Sequence, residues 1–310
     1  MATRPAASSL AEELALDALA DNTRNAYAKD LRRYEAWGGS IPSSVDQVVA
    51  YLAENRKFAA STLKRWIASI SREHQRLHAF NPCSSLEVRD ALKGINKKKL
   101  KRPRQVAPAE RDEVLAMVRC VPDTLTGTRD RALLLIGFSG AMRRSELVAL
   151  LLENVTFESR GALLTLGQTK THAANEVVPP VAIPRSPDRD SCPVVALQQW
   201  MRAAKLWKNH DGARIAGPVF RRISKAGNVH ADALNDASIA RLIKAYALKA
   251  GLDPSLYSGH SLRRGLATTA AKEGKLHHKI KAQTRHKTDS MVAAYIDDNE
   301  IFKDNAADVF

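Results

Sequence analysis

The sequence has little of what would tie it to an oxidising compartment or to a bilayer. It holds three cysteines, Cys83, Cys120 and Cys192, among 310 residues. None stands in a C-x-x-C pair, so neither a zinc site nor a disulfide framework is suggested. No apolar run is long enough to span a membrane. Arg4 near the N-terminus is followed by Glu12 and Glu13 rather than by an apolar core, so there is no secretory signal pattern. These absences lead us to expect a cytoplasmic protein. Acidic charge is also the minority: 33 Asp and Glu face 48 Lys and Arg, a net charge of +15 and a pI near 9.9. Such a surplus points to a polyanion, most simply nucleic acid. An anionic membrane surface fits less well, because nothing in the chain is built to insert.

What is present suffices for real cores. Hydrophobic residues make up 45% of the chain, and the length suggests two domains. After an Ala-rich start, Asp21-Asn22-Thr23 offers N-cap chemistry for a helix running to about Trp37. A second helix is expected after Ser44. A third, capped by Ser61, runs to about His78, and a short fourth covers Ser85–Leu92. The third has an apolar face of Leu63, Trp66, Ile67, Ile70 and Leu77. Its other face carries Lys64, Arg65, Arg72 and Arg76. That face is either solvated or in contact with phosphate.

Lys97, Lys98, Lys99, Lys101, Arg102 and Arg104 then crowd six positive charges into eight residues closed by Pro103. The run cannot form a core and self-repels unless an anion neutralises it. We read it as an exposed, basic interdomain linker over 97–107, suited to a DNA backbone or to a localisation signal. The domains on either side are 1–96 and 108–310.

The second domain is expected to open with a helix through Arg119 and a buried apolar helix over Asp130–Phe138. Gly137 and Gly140 mark a turn, after which Ser145-Glu146-Leu147 restarts helix. Glu146 stands one turn from Arg143 and can hold its guanidinium. Strands are expected over Val155–Phe157, Ala162–Gln168 and Asn175–Ile183, with Lys170 at a hairpin tip. Helices follow over Ser191–Leu206 and Ser238–Ala250, with an extended piece at Val219–Ile223 and a turn at Lys225–Asn228 between them. The fold class is thus mainly α with a small antiparallel β-sheet, in two domains.

The richest stretch is Tyr257–Tyr295. His260 and Arg263 stand three apart, on one face of a helix. His286 precedes Tyr295 by nine residues, across a helical segment with Met291, Val292 and Tyr295 on one side. Any one of these features is more often structural than catalytic. Tyr257 reads as packing, and His172, His277 and His278 as surface or DNA-proximal residues. After Tyr295 the composition turns acidic and apolar, with Asp297, Asp298, Glu300, Asp304 and Asp308 beside Phe302 and Phe310. Such a tail suits docking on protein, a neighbouring subunit above all.

Taken in order, Arg143-Arg144-Ser145-Glu146-Leu147, Lys170, His260-Ser261-Leu262-Arg263, His286 and Tyr295 resemble the tyrosine recombinase (lambda integrase-like) family, nearest to its Cre-like and Xer-like members. The family pattern R-x-x-E-L selects Arg143 over Arg144, and H-x-x-R selects Arg263 over Arg264. Many members carry Gly where this chain has Arg285, a departure expected to alter that turn.

The resemblance implies a helical core-binding (SAM-like) domain followed by a catalytic domain. It also implies strand exchange through a covalent 3′-phosphotyrosyl intermediate. Tyr295 would be the nucleophile, and Arg143, Arg263 and His286 would hold the phosphate. His260 would handle the tyrosine proton and Lys170 would be general acid, with Glu146 as structural support. No metal or other cofactor is expected. The implied partners are double-stranded DNA with an inverted-repeat site and a homotetramer assembled on two such sites, with no membrane. Residues 1–20 are too few for a further arm-binding domain, so few accessory factors are expected. Two alternatives stand beside this: type IB topoisomerase-like relaxation, and a DNA-binding protein that keeps the fold without catalysis.

Overall fold

The computed structural model describes residues 19, 21–98, 106–167, 179–207, 212 and 215–296, with backbone alone at 21 and 294–296. The chain divides into two compact units, Met1–Arg104 and Gln105–Phe310.

The first unit is helical. Helix α1 spans Asp21–Ala36, α2 Val45–Glu54, α3 Ala60–Arg76 and α4 Leu86–Lys98. Ser44 caps α2 by accepting a hydrogen bond from the Gln47 N–H. Val48, Tyr51 and Leu52 then point inward at helical spacing. Helix α3 starts one residue before the expected cap. Ala59 holds the N-cap position without a side-chain bond, and Ser61 lies in the first turn. The burial of Leu63, Trp66, Ile67 and Ile70 sets the start of this helix, whereas Leu77 lies beyond its end and is exposed. Tyr34, Tyr51 and Trp66 form an aromatic chain through the core, with centroids 4.9 and 5.6 Å apart. His74 is fully buried. Its Nε2 accepts from the Ser43 N–H at 2.8 Å and its Nδ1 faces the Ile70 carbonyl at 2.8 Å.

Helix α4 continues past Leu92 to Lys98, so Lys97 and Lys98 close a helix instead of opening a linker. Lys and Arg are good helix formers, and at a helix C-terminus their charge is favourable. Lys99, Lys101, Arg102 and Arg104 lie outside the described residues.

The second unit is built round helix α6, Leu125–Ser139, in which every residue from Ala132 to Gly137 is buried. It starts five residues earlier than the apolar run suggested. Thr124 Oγ1 accepts from the Gly127 N–H and caps it, in a polar stretch with no hydrophobic period to read. Helix α5, Arg111–Arg119, precedes it, and the short α7, Arg144–Ala149, follows. Strands β1 (Val155–Phe157), β2 (Gly161–Leu164) and β3 (Val181–Pro184) make an antiparallel sheet in the order β1-β2-β3. Pro179 and Pro180 have no N–H for a ladder, and β3 begins just after them. The part of the expected third strand over 175–178 lies outside the described residues. Helix α8, Pro193–Ala203, packs on α6 and buries Trp200, whose Nε1 donates to the Val219 carbonyl at 2.8 Å.

A second sheet was not anticipated. Strand β4, Arg221–Ile223, pairs with β5, Val229–Ala233, round the Lys225–Asn228 turn. The sequence of β5 is Val-His-Ala-Asp-Ala, largely exposed, with too weak an apolar alternation to stand out. Helices α9 (Asp236–Lys249), α10 (Ser261–Lys272), α11 (His277–Thr284) and α12 (Asp289–Ile296) complete the unit. The segment leading into α5 is stitched to α10. The Ala107 N–H donates to the Leu256 carbonyl, and the Ala109 N–H to the Ser261 carbonyl. Gly265 permits this closeness, since a Cβ there would lie 1.6 Å from the Ala109 carbonyl oxygen. Among the described residues no helix is long and apolar enough to cross a membrane.

Candidate active site

The site is assembled where α6 ends, α7 and α10 begin, and α11 turns into α12. Gly140 caps α6, and Ala141 follows at φ +45°, turning the chain back toward the core. Arg143 then sits at the N-cap of α7. Glu146, buried, closes a reciprocal box: its Oε2 accepts from the Arg143 N–H at 2.8 Å, and its Oε1 accepts from Arg143 Nη1 at 2.5 Å. The three-residue spacing thus fixes backbone and guanidinium together.

His260 holds the N-cap of α10, and Arg263 is one of the largest fully buried side chains in the chain. Arg263 Nη1 donates to the Ala141 carbonyl at 2.9 Å, tying α10 to the turn before Arg143. The approach to His260 is shaped by its neighbours. Tyr257 is buried and donates its hydroxyl to Glu113 Oε1 at 2.8 Å, in keeping with its expected packing role. The Ser258 N–H donates to Ser261 Oγ. The Arg144 side chain lies over Gly259, where a Cβ would sit 2.0 Å from Arg144 Cδ. The second arginine of the first doublet therefore roofs the turn that carries His260.

His286 follows the end of α11 and is buried. Thr284 Oγ1 donates to the Ile280 carbonyl at 2.7 Å, so its oxygen is left to accept from His286 Nδ1, 2.8 Å away. This assigns the neutral tautomer with the proton on Nδ1. Burial, helped by Arg263, Arg143, His260 and Arg285, pushes the His286 pKa down to about 4. His260 is lowered too, first by desolvation and then by Arg263, Arg264, Arg143 and Arg144. Both imidazoles are therefore neutral near neutral pH. Arg143 and Arg263 act on both imidazoles, which sets the two histidines within electrostatic reach of both guanidiniums.

Sequence reasoning noted Arg285 only as a departure, and it turns out to be a structural hub. Its side chain is 8% exposed, and its Nη2 donates to Glu146 Oε2 at 2.8 Å. The Glu146 carboxylate thus serves Arg143 and Arg285 together. Burial alone would raise its pKa, but the two guanidiniums outweigh that and hold it below the ordinary range. Nothing local in Thr-Arg-His announces this contact, which spans 139 positions of the chain.

Lys170 lies outside the described residues. Tyr295 lies in the last turn of α12, with its backbone alone described. The expected apolar side of that helix needs one correction. Val292 is fully buried, but Met291 is 47% exposed, because the helix packs on Ala267 and Ile280 through Val292. Among the described residues no group of three His, Cys, Asp or Glu is placed to hold a metal ion.

On the first unit, the basic face of α3 is partly neutralised. Arg65 makes a two-pronged pair with the buried Asp30 at 2.6 and 2.9 Å. Arg76 pairs with Glu73 at 2.6 Å. Lys64 is exposed and Arg72 half-buried; Lys97 and Lys98 are exposed at the end of α4.

The buried Glu146 carboxylate holds Arg143 and the buried Arg285, Arg263 is buried against the same turn, and two neutral imidazoles lie within electrostatic reach, a cationic arrangement suited to an anion on a mainly helical protein. A profile of the phage integrase family matches residues 109–301. An integrase/recombinase XerD homologue from Selenomonas ruminantium is 35% identical over 299 residues, 93% of this chain and 84% of the relative. Among solved structures, the fold resembles a lambda integrase tetramer bound to a Holliday junction (TM-score 0.60, 16% identity, 93% of this chain and 75% of that one). It also resembles the Tn1549 transposon integrase in complex with a circular intermediate DNA (TM-score 0.61, 15% identity, 89% and 90%). The chain belongs to the phage integrase family of tyrosine recombinases. It is a site-specific DNA recombinase, an enzyme that breaks and rejoins DNA strands.

Proposed function

We propose that this recombinase works through a covalent 3′-phosphotyrosyl intermediate, with Tyr295 as nucleophile. The observation that carries the reading is the set of Arg143, held by Glu146, and Arg263, tied to the Ala141 carbonyl, both acting electrostatically on His260 and His286. Tyr295 Oη attacks the scissile phosphorus, forming the P–O bond to tyrosine and breaking the bond to the 5′ oxygen. One hard transfer becomes two reversible ones. Arg143 and Arg263 hold the non-bridging oxygens, for which a planar, permanently charged guanidinium is suited.

His260, neutral in the DNA-free protein, accepts the tyrosine proton. Lys170 gives a proton to the departing 5′ oxygen. His286 can donate to the phosphate through Nε2 only once that nitrogen is protonated. An incoming phosphodiester anion favours this by offsetting the surrounding positive charge.

The domain plan follows: residues 1–96 bind the core site, 97–107 lie along the backbone, and 108–310 carry the chemistry. Lys64, Arg65, Arg72, Arg76, Lys97, Lys98, Lys99, Lys101, Arg102 and Arg104 would contact phosphates. The substrate is double-stranded DNA with an inverted-repeat site, in the cytoplasm. The working assembly is a homotetramer on two sites, a reading supported by the lambda integrase tetramer bound to a Holliday junction.

The test needs no knowledge of the site. The protein is mixed with fragmented, partly nicked DNA from its source and denatured with SDS, and protein-bound DNA is recovered. The unsubstituted chain is expected to trap DNA and Tyr295→Phe to trap none, although both bind it. Adduct from both proteins, or from neither, overturns the reading.

A further inference from the structure

Arg285 stands at a backbone position that does not favour it. It closes α11 in the left-handed conformation, φ +55° and ψ +43°. Glycine is the usual residue there, because it carries no Cβ to clash. A large charged residue in that conformation, with its side chain 8% exposed, is held by its contacts. Arg285 Nη1 donates to the Gly140 carbonyl at 3.0 Å and to the Gln283 carbonyl at 2.8 Å. Nη2 donates to the Ala141 carbonyl at 3.1 Å and to Glu146 Oε2 at 2.8 Å.

These contacts reach each candidate phosphate ligand by a different route. Glu146 holds the Arg143 guanidinium. The Ala141 carbonyl is shared with Arg263 Nη1. His286 is the next residue in the chain. One buried guanidinium therefore joins the supports of all three. Gln283 anchors the same turn from its other side, donating to the Ser139 and Ala182 carbonyls at 2.8 and 3.1 Å.

We infer that Arg285 is a positioning residue for DNA cleavage, which locks Arg143, Arg263 and His286 into a single phosphate-binding geometry through Glu146 and the Ala141 carbonyl. The inference rests on the proposed phosphotyrosyl reaction. Without Arg285, Glu146 still pairs with Arg143, so no buried carboxylate is stranded. The phosphate ligands lose their common brace, and displacements of about 1 Å cost on the order of 100-fold in rate.

Arg285→Gly is the informative variant, because glycine accepts the left-handed backbone and the fold is expected to survive. Arg285→Asn, which also tolerates that conformation, is the second. The probe is a pool of nicked, fragmented source DNA. Binding is read by gel shift, and adduct formation at saturating protein by SDS trapping over time.

The expected result is binding within about twofold of the unsubstituted chain and adduct formation slower by roughly 10- to 100-fold. Added methylguanidinium should restore part of the rate to Arg285→Gly. The Arg285→Gly/Glu146→Gln double variant should be no slower than the slower single, because the two act as one unit. Equal rates for Arg285→Gly and the unsubstituted chain overturn the inference and leave the recombination mechanism intact. So does a slower rate that follows the loss of folded protein and shows no rescue. Absence of adduct from the unsubstituted chain overturns the mechanism, and the inference with it.

Discussion

His286 makes a measurable claim about stability. Its pKa is about 4 in the folded chain against an ordinary 6.5, and the side chain is 7% exposed. A histidine with a depressed folded pKa binds more protons unfolded than folded in the interval between the two values. Stability is therefore full above about pH 6.5 and is lost as pH falls toward 4. The shift of about 2.5 units corresponds to roughly 3 kcal/mol once both states are protonated, of which about 2 kcal/mol is lost between about pH 8 and about pH 5. His260 is shifted the same way and adds to the loss in the unsubstituted chain.

His286→Gln removes the first contribution alone. Calorimetric unfolding of both proteins at the two pH values isolates it, since the other ionisable groups largely cancel in the difference. The variant should lose about 2 kcal/mol less than the unsubstituted chain on acidification. NMR of the ring C–H protons reads the same quantity directly and should show a midpoint near 4. Equal acid losses for the two proteins, or a midpoint at an ordinary histidine value, would refute the burial of His286 beside the guanidiniums.

Two further substitutions test the packing beneath the site. Glu146→Ala leaves Arg143 and the buried Arg285 without their shared carboxylate. It should cost about 3–5 kcal/mol of stability, with Glu146→Gln costing less, as measured by denaturant unfolding. Gly265→Ala places a Cβ 1.6 Å from the Ala109 carbonyl oxygen, which belongs to backbone and cannot swing aside. It should destabilise the second unit by at least 1–3 kcal/mol in calorimetry, whereas a neutral result would mean that the segment over Ala107–Ala109 is not held against α10.

Much of the chemistry was legible before any coordinates, because it depends on order and local spacing. Arg143 and Glu146 meet across one turn, so three positions of sequence were enough to pair them. His260 and Arg263 stand three positions apart at one helix start. Helices α2 and α3 announced themselves through Val48, Tyr51 and Leu52, and through Leu63, Trp66 and Ile70, since burial repeats with the helical period. The basic balance of the chain identified a polyanionic partner by composition alone.

The tertiary structure decided what no local pattern encodes. Arg65 reads from sequence as a free cation on a basic face, yet it pairs with Asp30, 35 positions earlier. Strand β5 is exposed and nearly patternless, so its pairing with β4 emerges only in three dimensions. Met291 was assigned to an apolar face by helical spacing, but the packing of α12 on Ala267 and Ile280 is made by Val292. Arg285 is the clearest instance. In sequence it is a misfit ahead of a histidine. Folded, it is the buried link between Glu146 and the Ala141 carbonyl, because a guanidinium has enough donors in one plane to serve several acceptors at once. Sequence by itself determined which groups we propose hold the phosphate; only the fold, by bringing together residues 139 positions apart, decided how they are held.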